Sequence, residues 1–262
     1  RMVWPGPTRL TTDFSAYHGP LPPGTTVDEW GLAHVPTSST DGDHAHLEGF
    51  RHPMQRLESA AEAAEFPLPD VDAAYRYEPV RAEIEALHRR GLAVMAMLEC
   101  TVFERAWYLR SMERLLLDFT DGSAFATTLL DRITERRMAQ AAHYARAGAD
   151  VIAYGDDVGT QRGMLMSVRM WRTWLKPRLA RTIAAARGVR PDVPRMFIDI
   201  TPGTPPIYRE ELLRRAYSIG YDIAGSLLWG SDSAAPGYDP AYVQRWLERD
   251  RKLLDSLGVA EA

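Results

Sequence analysis

Two neighbouring acids, Asp156 and Asp157, follow the short apolar run Val151–Tyr154 and open a polar loop that also holds Gln161 and Arg162. Adjacent carboxylates in a cleft repel each other's charge, which raises one pKa and leaves an acid available near neutrality. A guanidinium offers a planar fork that matches a carboxylate in two hydrogen bonds. A second acid, Glu99, ends the apolar run Leu92–Leu98, with Arg105 and Arg110 soon after it. The chemistry that fits is proton exchange by Asp156, Asp157 and Glu99 on an acidic small molecule. Tyr154, Gln161, Arg162, Arg105 and Arg110 are the candidates to hold that molecule. The plainer alternative is that Asp156 caps a turn and Arg162 neutralises it. Cys100 stands beside Glu99, but no histidine is placed next to it in sequence, so a buried structural thiol is favoured over a nucleophile.

These residues need elements to position them. Leu92–Leu98 and Val151–Tyr154 read as buried strands, and helical sequence separates them. Helices are predicted over Ser59–Glu65, Pro79–Arg90, Phe103–Phe119, Ala124–Ala147, Val168–Arg187, Ile207–Ile219 and Pro240–Leu257, with a bend at Pro177. Further strands are predicted over Val193–Ile200 and Ser226–Trp229, and a hairpin arm over Trp30–Val35. The alternation argues a parallel sheet with right-handed crossovers, which puts every strand's exit loop on one edge. Glu99, Tyr154, Asp156, Asp157, Gln161 and Arg162 are therefore expected in one open cleft on that edge, where α/β proteins bind ligands. The fold class is α/β and TIM-barrel-like. Fewer than eight strands are visible, so an incomplete or irregular barrel is expected.

The phrase GADVIAYGDDVGTQRGMLMS with the Trp-rich helix ending Lys176-Pro177-Arg178 resembles the uroporphyrinogen decarboxylase superfamily. LAVMAMLECTVFERAWYLR and TTVDEWGLAHVP extend the resemblance, which covers roughly residues 13–194. It implies a TIM barrel and decarboxylation of a polycarboxylate small molecule, of porphyrinogen type, with neither metal nor organic cofactor. The superfamily also holds cobalamin-dependent methyltransferases, whose zinc is bound by His and Cys late in the barrel. No histidine follows His143 here, so that zinc site is not expected. The N-terminal phrase with two arginines that grips porphyrinogen in true uroporphyrinogen decarboxylases is also not visible. From Thr201 the chain is instead similar to the end of the metal-dependent amidohydrolases (IDITPGTPPIYREELL, then SIGYDIAGSLLWGSDS), where Asp232 matches a metal-contacting aspartate. One Asp cannot hold a metal alone. The expected organisation is a decarboxylase-like part over 1–194 and an amidohydrolase-like closing segment over 195–262, packed on the same barrel.

Composition bounds the partners. The 262 residues suit one TIM barrel, and 45% hydrophobic with 25% charged residues is an ordinary globular balance. A net charge of −4 gives no electrostatic case for nucleic acid or an anionic membrane. A single cysteine excludes a disulfide framework. No apolar run approaches a membrane span, and no signal peptide is visible. The chain opens at Arg1 without Met, so its true start is expected upstream. The expectation is a cytoplasmic enzyme with a small-molecule substrate, with a homodimer allowed. Behind it rank a non-catalytic remnant or binding module, then a metal-dependent hydrolase.

Overall fold

The computed structural model describes residues 1–4, 6, 8–36, 49–160, 163–191, 197–200, 206–218, 223–230 and 239–259. In chain order these give β1 (Met2–Val3), β2 (Thr26–Val27), β3 (Ala33–His34), β4 (Phe50–Arg51), α1 (Ala60–Glu65) and α2 (Glu78–Arg89). Next come β5 (Met95–Leu98), α3 (Phe103–Arg110), α4 (Met112–Asp121), α5 (Ala124–Ala147), β6 (Val151–Tyr154), α6 (Val168–Trp174) and α7 (Lys176–Val189). The chain forms two compact units, Arg1–Val158 with Met164–Asp192, and Gly159–Gly163 with Val193–Ala262.

The first unit is built on a three-stranded parallel sheet in the order β1-β5-β6, with Met2 opposite Met95 and Leu98 opposite Tyr154. β1 has only two residues and no periodicity to betray it, so the sequence reading missed it. One face of β5, Ala96 and Leu98, is buried. Val80, Ile84 and Leu87 of α2 and Ala141 and Tyr144 of α5 cover it. Burying such side chains contributes roughly 1.5–3 kcal/mol each. A second core gathers Phe14, Trp30, Phe66, Phe103, Phe125 and Trp174 around α3, α4 and α5. β2, β3 and β4 form a separate antiparallel sheet, so the predicted hairpin arm is present as its middle strand.

Local chemistry sets the helix ends. Ser59 and Glu62 make a reciprocal capping box at the start of α1. α5 starts on Ser123, whose hydroxyl accepts the Phe125 N–H, and stops at Gly148 with φ +97°. That conformation suits glycine, which has no Cβ to clash. The expected helix over Phe103–Phe119 is two helices. Ser111 breaks it at φ +76° and caps α4 by accepting the Arg114 N–H. The break lets buried Arg110 pair with Asp118 at 2.9 Å and donate to the carbonyls of Met54 (2.8 Å) and Leu57. The expected helix over Val168–Arg187 also divides, at Leu175, because Pro177 has no N–H to continue α6 and instead occupies the first turn of α7. α5 and α7 pack along each other, and buried Arg178 crosses to Asp131 at 2.9 Å.

In the second unit, β7 (Ile198–Asp199) pairs in parallel with β8 (Leu227–Leu228). α8 (Pro206–Ser218) and α9 (Pro240–Ser256) accompany them. Fully buried Arg209 binds Asp250 through Nε at 3.0 Å and Nη2 at 2.5 Å, and Nη2 also reaches the Ile200 carbonyl at 3.2 Å. The Trp229 indole N–H donates to the same carboxylate at 3.3 Å. Among the described residues the strands do not close into a barrel, and the chain is a mixed α/β protein. No described helix is long and apolar enough to cross a membrane.

Candidate functional site

Because β5 and β6 are parallel and in register, Glu99 and Gly155 leave the sheet side by side. A Cβ on Gly155 would stand 3.8 Å from Glu99 Cγ. Thr101 clasps the two exits. Its N–H donates to the Gly155 carbonyl at 2.9 Å, its hydroxyl donates to Leu98 O at 2.7 Å, and the Gly155 N–H donates to that hydroxyl at 3.1 Å. Between β5 and the clasp the chain passes through Cys100, whose φ of +54° is rare for a residue with a side chain.

Asp156 reaches across to the start of α3. Its carboxylate accepts the N–H groups of Val102 (2.9 Å) and Glu104 (3.0 Å). Unpaired N–H groups and the positive end of the helix dipole both favour an anion there. Burial nevertheless pushes the Asp156 carboxyl above its ordinary pKa, against these hydrogen bonds and the nearby Arg137. This is the capping alternative in a modified form, since the element capped is a neighbouring helix rather than a turn. Asp157 is exposed, and its N–H donates to Glu104 Oε2 at 3.0 Å. Burial raises the Glu104 carboxyl, and Asp156, Asp157 and Glu99 add to the shift by repulsion. Glu99, Asp156 and Asp157 thus lie near one another at the strand exits, with Glu104 as a fourth acid that the sequence reading passed over.

A cleft of about 390 Å³ opens at the carboxyl ends of β1 and β5. Glu99, Cys100 and Arg105 line it, together with Trp4, Asp28, Trp30, Arg137 and Gln140. Asp156, Asp157, Tyr154 and Arg110 are not among its lining residues. Tyr154 turns the other way, its hydroxyl donating to Thr182 O of α7 at 3.4 Å, and burial pushes its pKa up to about 12. Arg110 is spent on Asp118 and two carbonyls, as described above. Gln161, Arg162 and Asp232 lie outside the described residues.

Arg137 is the centre of the cleft's inner wall. It is buried and donates to the carbonyls of Thr101 (2.9 Å), Cys100 (2.7 Å) and Glu99 (3.3 Å), and to Gln140 Oε1 (2.8 Å). No carboxylate pairs with it among the described residues. Burial lowers its pKa to about 9, helped by repulsion from Arg105, and it stays cationic at neutral pH. Arg105 lies over the Trp30 ring at 4.8 Å and reaches Asp28 only at 3.8 Å. Its Nε is buried and has no hydrogen-bond acceptor. A sequence signal for this wall existed. Arg137 and Gln140 interrupt the buried stripe Ile133, Thr134, Ala141 and Tyr144 of α5, where a charge needs a reason.

Cys100 also faces the cleft, and burial followed by repulsion from Glu104 raises its thiol pKa. That holds it in the less reactive protonated form. Among the described residues no group of three His, Cys, Asp or Glu side chains is arranged to hold a metal.

Parallel strands with polar side chains gathered at their carboxyl ends define the α/β class in which barrel enzymes fall. A family model described as uroporphyrinogen decarboxylase (URO-D) matches residues 54–211, more than half of the chain. The chain belongs to the uroporphyrinogen decarboxylase family. Membership implies a TIM-barrel-like fold and a decarboxylase-like enzyme family. The match runs through Pro194 into α8, so the segment expected to be amidohydrolase-like begins inside the decarboxylase family's own span, and no comparison shows that likeness. No curated protein matches the chain.

Proposed function

We propose that this chain is a carboxy-lyase of uroporphyrinogen decarboxylase type, acting without a metal on a small molecule that carries carboxylates. The observation that carries the reading is the pair of guanidiniums on one cleft. Among the described residues Arg137 is a buried cation that donates only to carbonyl and amide oxygens, and Arg105 holds a buried Nε–H with no acceptor. Two cations in low dielectric, answered only in part by Asp156 and by Asp28 at 3.8 Å, attract a further anion. A carboxylate of the substrate completes the hydrogen bonding of Arg105 while Arg137 adds its field.

In such a decarboxylation a proton adds to the ring carbon beside the reacting side chain, giving a cationic ring. The bond to the carboxylate then breaks, CO₂ leaves, and its electron pair neutralises the ring as an exocyclic methylene; a proton added to that carbon, with loss of the first proton from the ring, gives the methyl product and restores the aromatic ring. Glu99 lines the cleft, and its carboxylate offsets the ring's positive charge. Asp156 keeps its place as a positioning group for α3, which carries Arg105. Incubation of the purified chain with pyrrole-acetate acids, followed by mass-spectrometric detection of CO₂, tests the reading. Release is expected, with at least a tenfold loss in Arg105→Ala and in Glu99→Gln. No CO₂ from any carboxylate, or undiminished release from both variants, overturns it.

A further inference from the structure

The turn that carries Trp30 also brings a carboxylate up to Arg105. Asp28 closes that turn from both ends. Its N–H donates to the Leu32 carbonyl at 3.0 Å, and the Gly31 N–H donates to the Asp28 carbonyl at 2.9 Å. Its Oδ1 accepts the N–H groups of Trp30 (2.9 Å) and Leu32 (3.0 Å). Gly31 takes φ +84° in the turn, where a Cβ would stand 2.6 Å from the Phe14 ring. With Oδ1 held twice, the place of Oδ2 is fixed by the turn.

Oδ2 faces two basic groups and bonds to neither. Arg105 Nη1 is 3.8 Å away and His34 Nε2 is 3.6 Å away. Both distances exceed a hydrogen bond, so the carboxylate acts on each through its charge. Arg105 does not depend on Asp28 for its position. Its guanidinium lies over Trp30 at 4.8 Å and Tyr108 at 5.5 Å, and Nε is buried. Asp28 therefore answers part of the Arg105 charge and occupies none of its N–H donors. A second carboxylate arriving at those donors meets a like charge already in place, which opposes it. His34 draws on the same oxygen and relieves part of that opposition. It belongs to β3, its ring stands edge-on to Phe50 at 5.4 Å, and it does not line the cleft.

We infer that Asp28 is a resident carboxylate that competes with the ligand's for Arg105 and so sets the affinity of the cleft, and that His34, outside the cleft, tunes the competition through the shared Oδ2. The inference rests on the carboxylate-binding part of the proposed function and adds two residues that control it.

Titration calorimetry of the full chain tests it, with tricarballylate as the acid and its trimethyl ester as the uncharged control. Asp28→Asn separates charge from shape, because the amide oxygen can still accept the Trp30 and Leu32 N–H groups. It is expected to bind the acid about tenfold more tightly than the parent, the order of effect of one like charge removed at close range in a partly screened site. The gain is expected to shrink as salt is added. His34→Phe keeps a ring against Phe50 and removes Nε2, and is expected to bind the acid about threefold more weakly. The double variant shows whether His34 acts through Asp28: in the Asp28→Asn background, His34→Phe is expected to change nothing. The ester is expected to respond to neither substitution. Acid affinity unchanged or lowered in Asp28→Asn overturns the inference. So do an unchanged affinity in His34→Phe, a His34→Phe loss that persists in the double variant, and no binding of the acid to any form. His34→Phe lies outside the turn and reports even where Asp28→Asn does not fold. The two readings fail separately. An acid that binds more tightly in Asp28→Asn while no acid loses CO₂ sinks the lyase and keeps the competition. CO₂ release with affinities that neither variant moves does the reverse.

Discussion

Replacing Arg137 by methionine tests whether one buried guanidinium holds the exit of β5 in shape. Methionine is close in length and needs no desolvation, so it separates the hydrogen bonds from the packing. The Thr101 and Cys100 carbonyls accept at 2.9 and 2.7 Å, and the exposed Glu99 can turn its carbonyl to water. Two carbonyls are thus left without a donor, at about 1–3 kcal/mol each. Removal of the cation's own desolvation cost offsets part of this, and a net loss of about 3 kcal/mol remains. Arg137→Lys keeps the charge and reaches fewer acceptors, so it is expected to cost about half as much. Melting reports on each compact unit as a whole rather than on one strand exit. Hydrogen exchange read by mass spectrometry on peptides spanning residues 95–104 follows the region directly. A loss of about 3 kcal/mol appears there as roughly 150-fold faster exchange, where local opening limits protection. Exchange within a few fold of the parent protein would falsify the claim that Arg137 shapes this exit.

Three further outcomes follow from the same geometry. Asp156→Ala strips the acceptor from the Val102 and Glu104 N–H groups and is expected to cost about 2 kcal/mol; a thermal midpoint lowered by roughly 4–8 °C in calorimetry marks that loss, and an unchanged midpoint dismisses the capping role. Glu104 has a folded pKa above its unfolded value, so the native state binds the extra proton and its stability falls as pH rises from about 4.5 through the raised value. Glu104→Gln is therefore expected to gain on the parent between pH 4.5 and 7, and melting scans at the two pH values show whether the gap opens in that direction. In the second unit, Asp250→Asn removes the charge that answers buried Arg209 and is expected to cost about 3–5 kcal/mol, seen in urea titrations as an early loss of Trp229 and Trp246 fluorescence.

Much of the scaffold was legible because its signals are local. α5 and β6 have the predicted bounds, fixed for α5 by Ser123 and Gly148 and for β6 by a short apolar run. The breaks at Ser111 and Leu175 were partly hidden. Pro177 announces a disturbance, but Ser111 carries no such mark. Its left-handed backbone accompanies Arg110's reach to Met54, a contact 56 residues away. β1 is defined by its pairing with β5 across more than ninety residues, which no local pattern encodes. In the candidate site, Glu99 and Arg105 were legible because strand exits in a parallel sheet share an edge. Asp156 was read as an acid, but the structure holds it as a cap, because the start of α3 offers N–H groups that only a fold can bring to it. Arg137 escaped notice because a charge on a buried helix stripe looks, without its partners, like an ordinary interruption.

The cleft is built from two distant parts of the chain. Glu99, Cys100, Arg105, Arg137 and Gln140 belong to the span matched by the family, which begins at Met54. Trp4, Thr8, Leu10 and Val27–Trp30 precede that span. The two groups of residues are joined, because the guanidiniums of Arg105 and Arg137 both lie over the Trp30 ring. An exchange of the residues before Met54 therefore removes the surface on which those cations rest, so the charged side of the cleft is editable only together with the segment that precedes it.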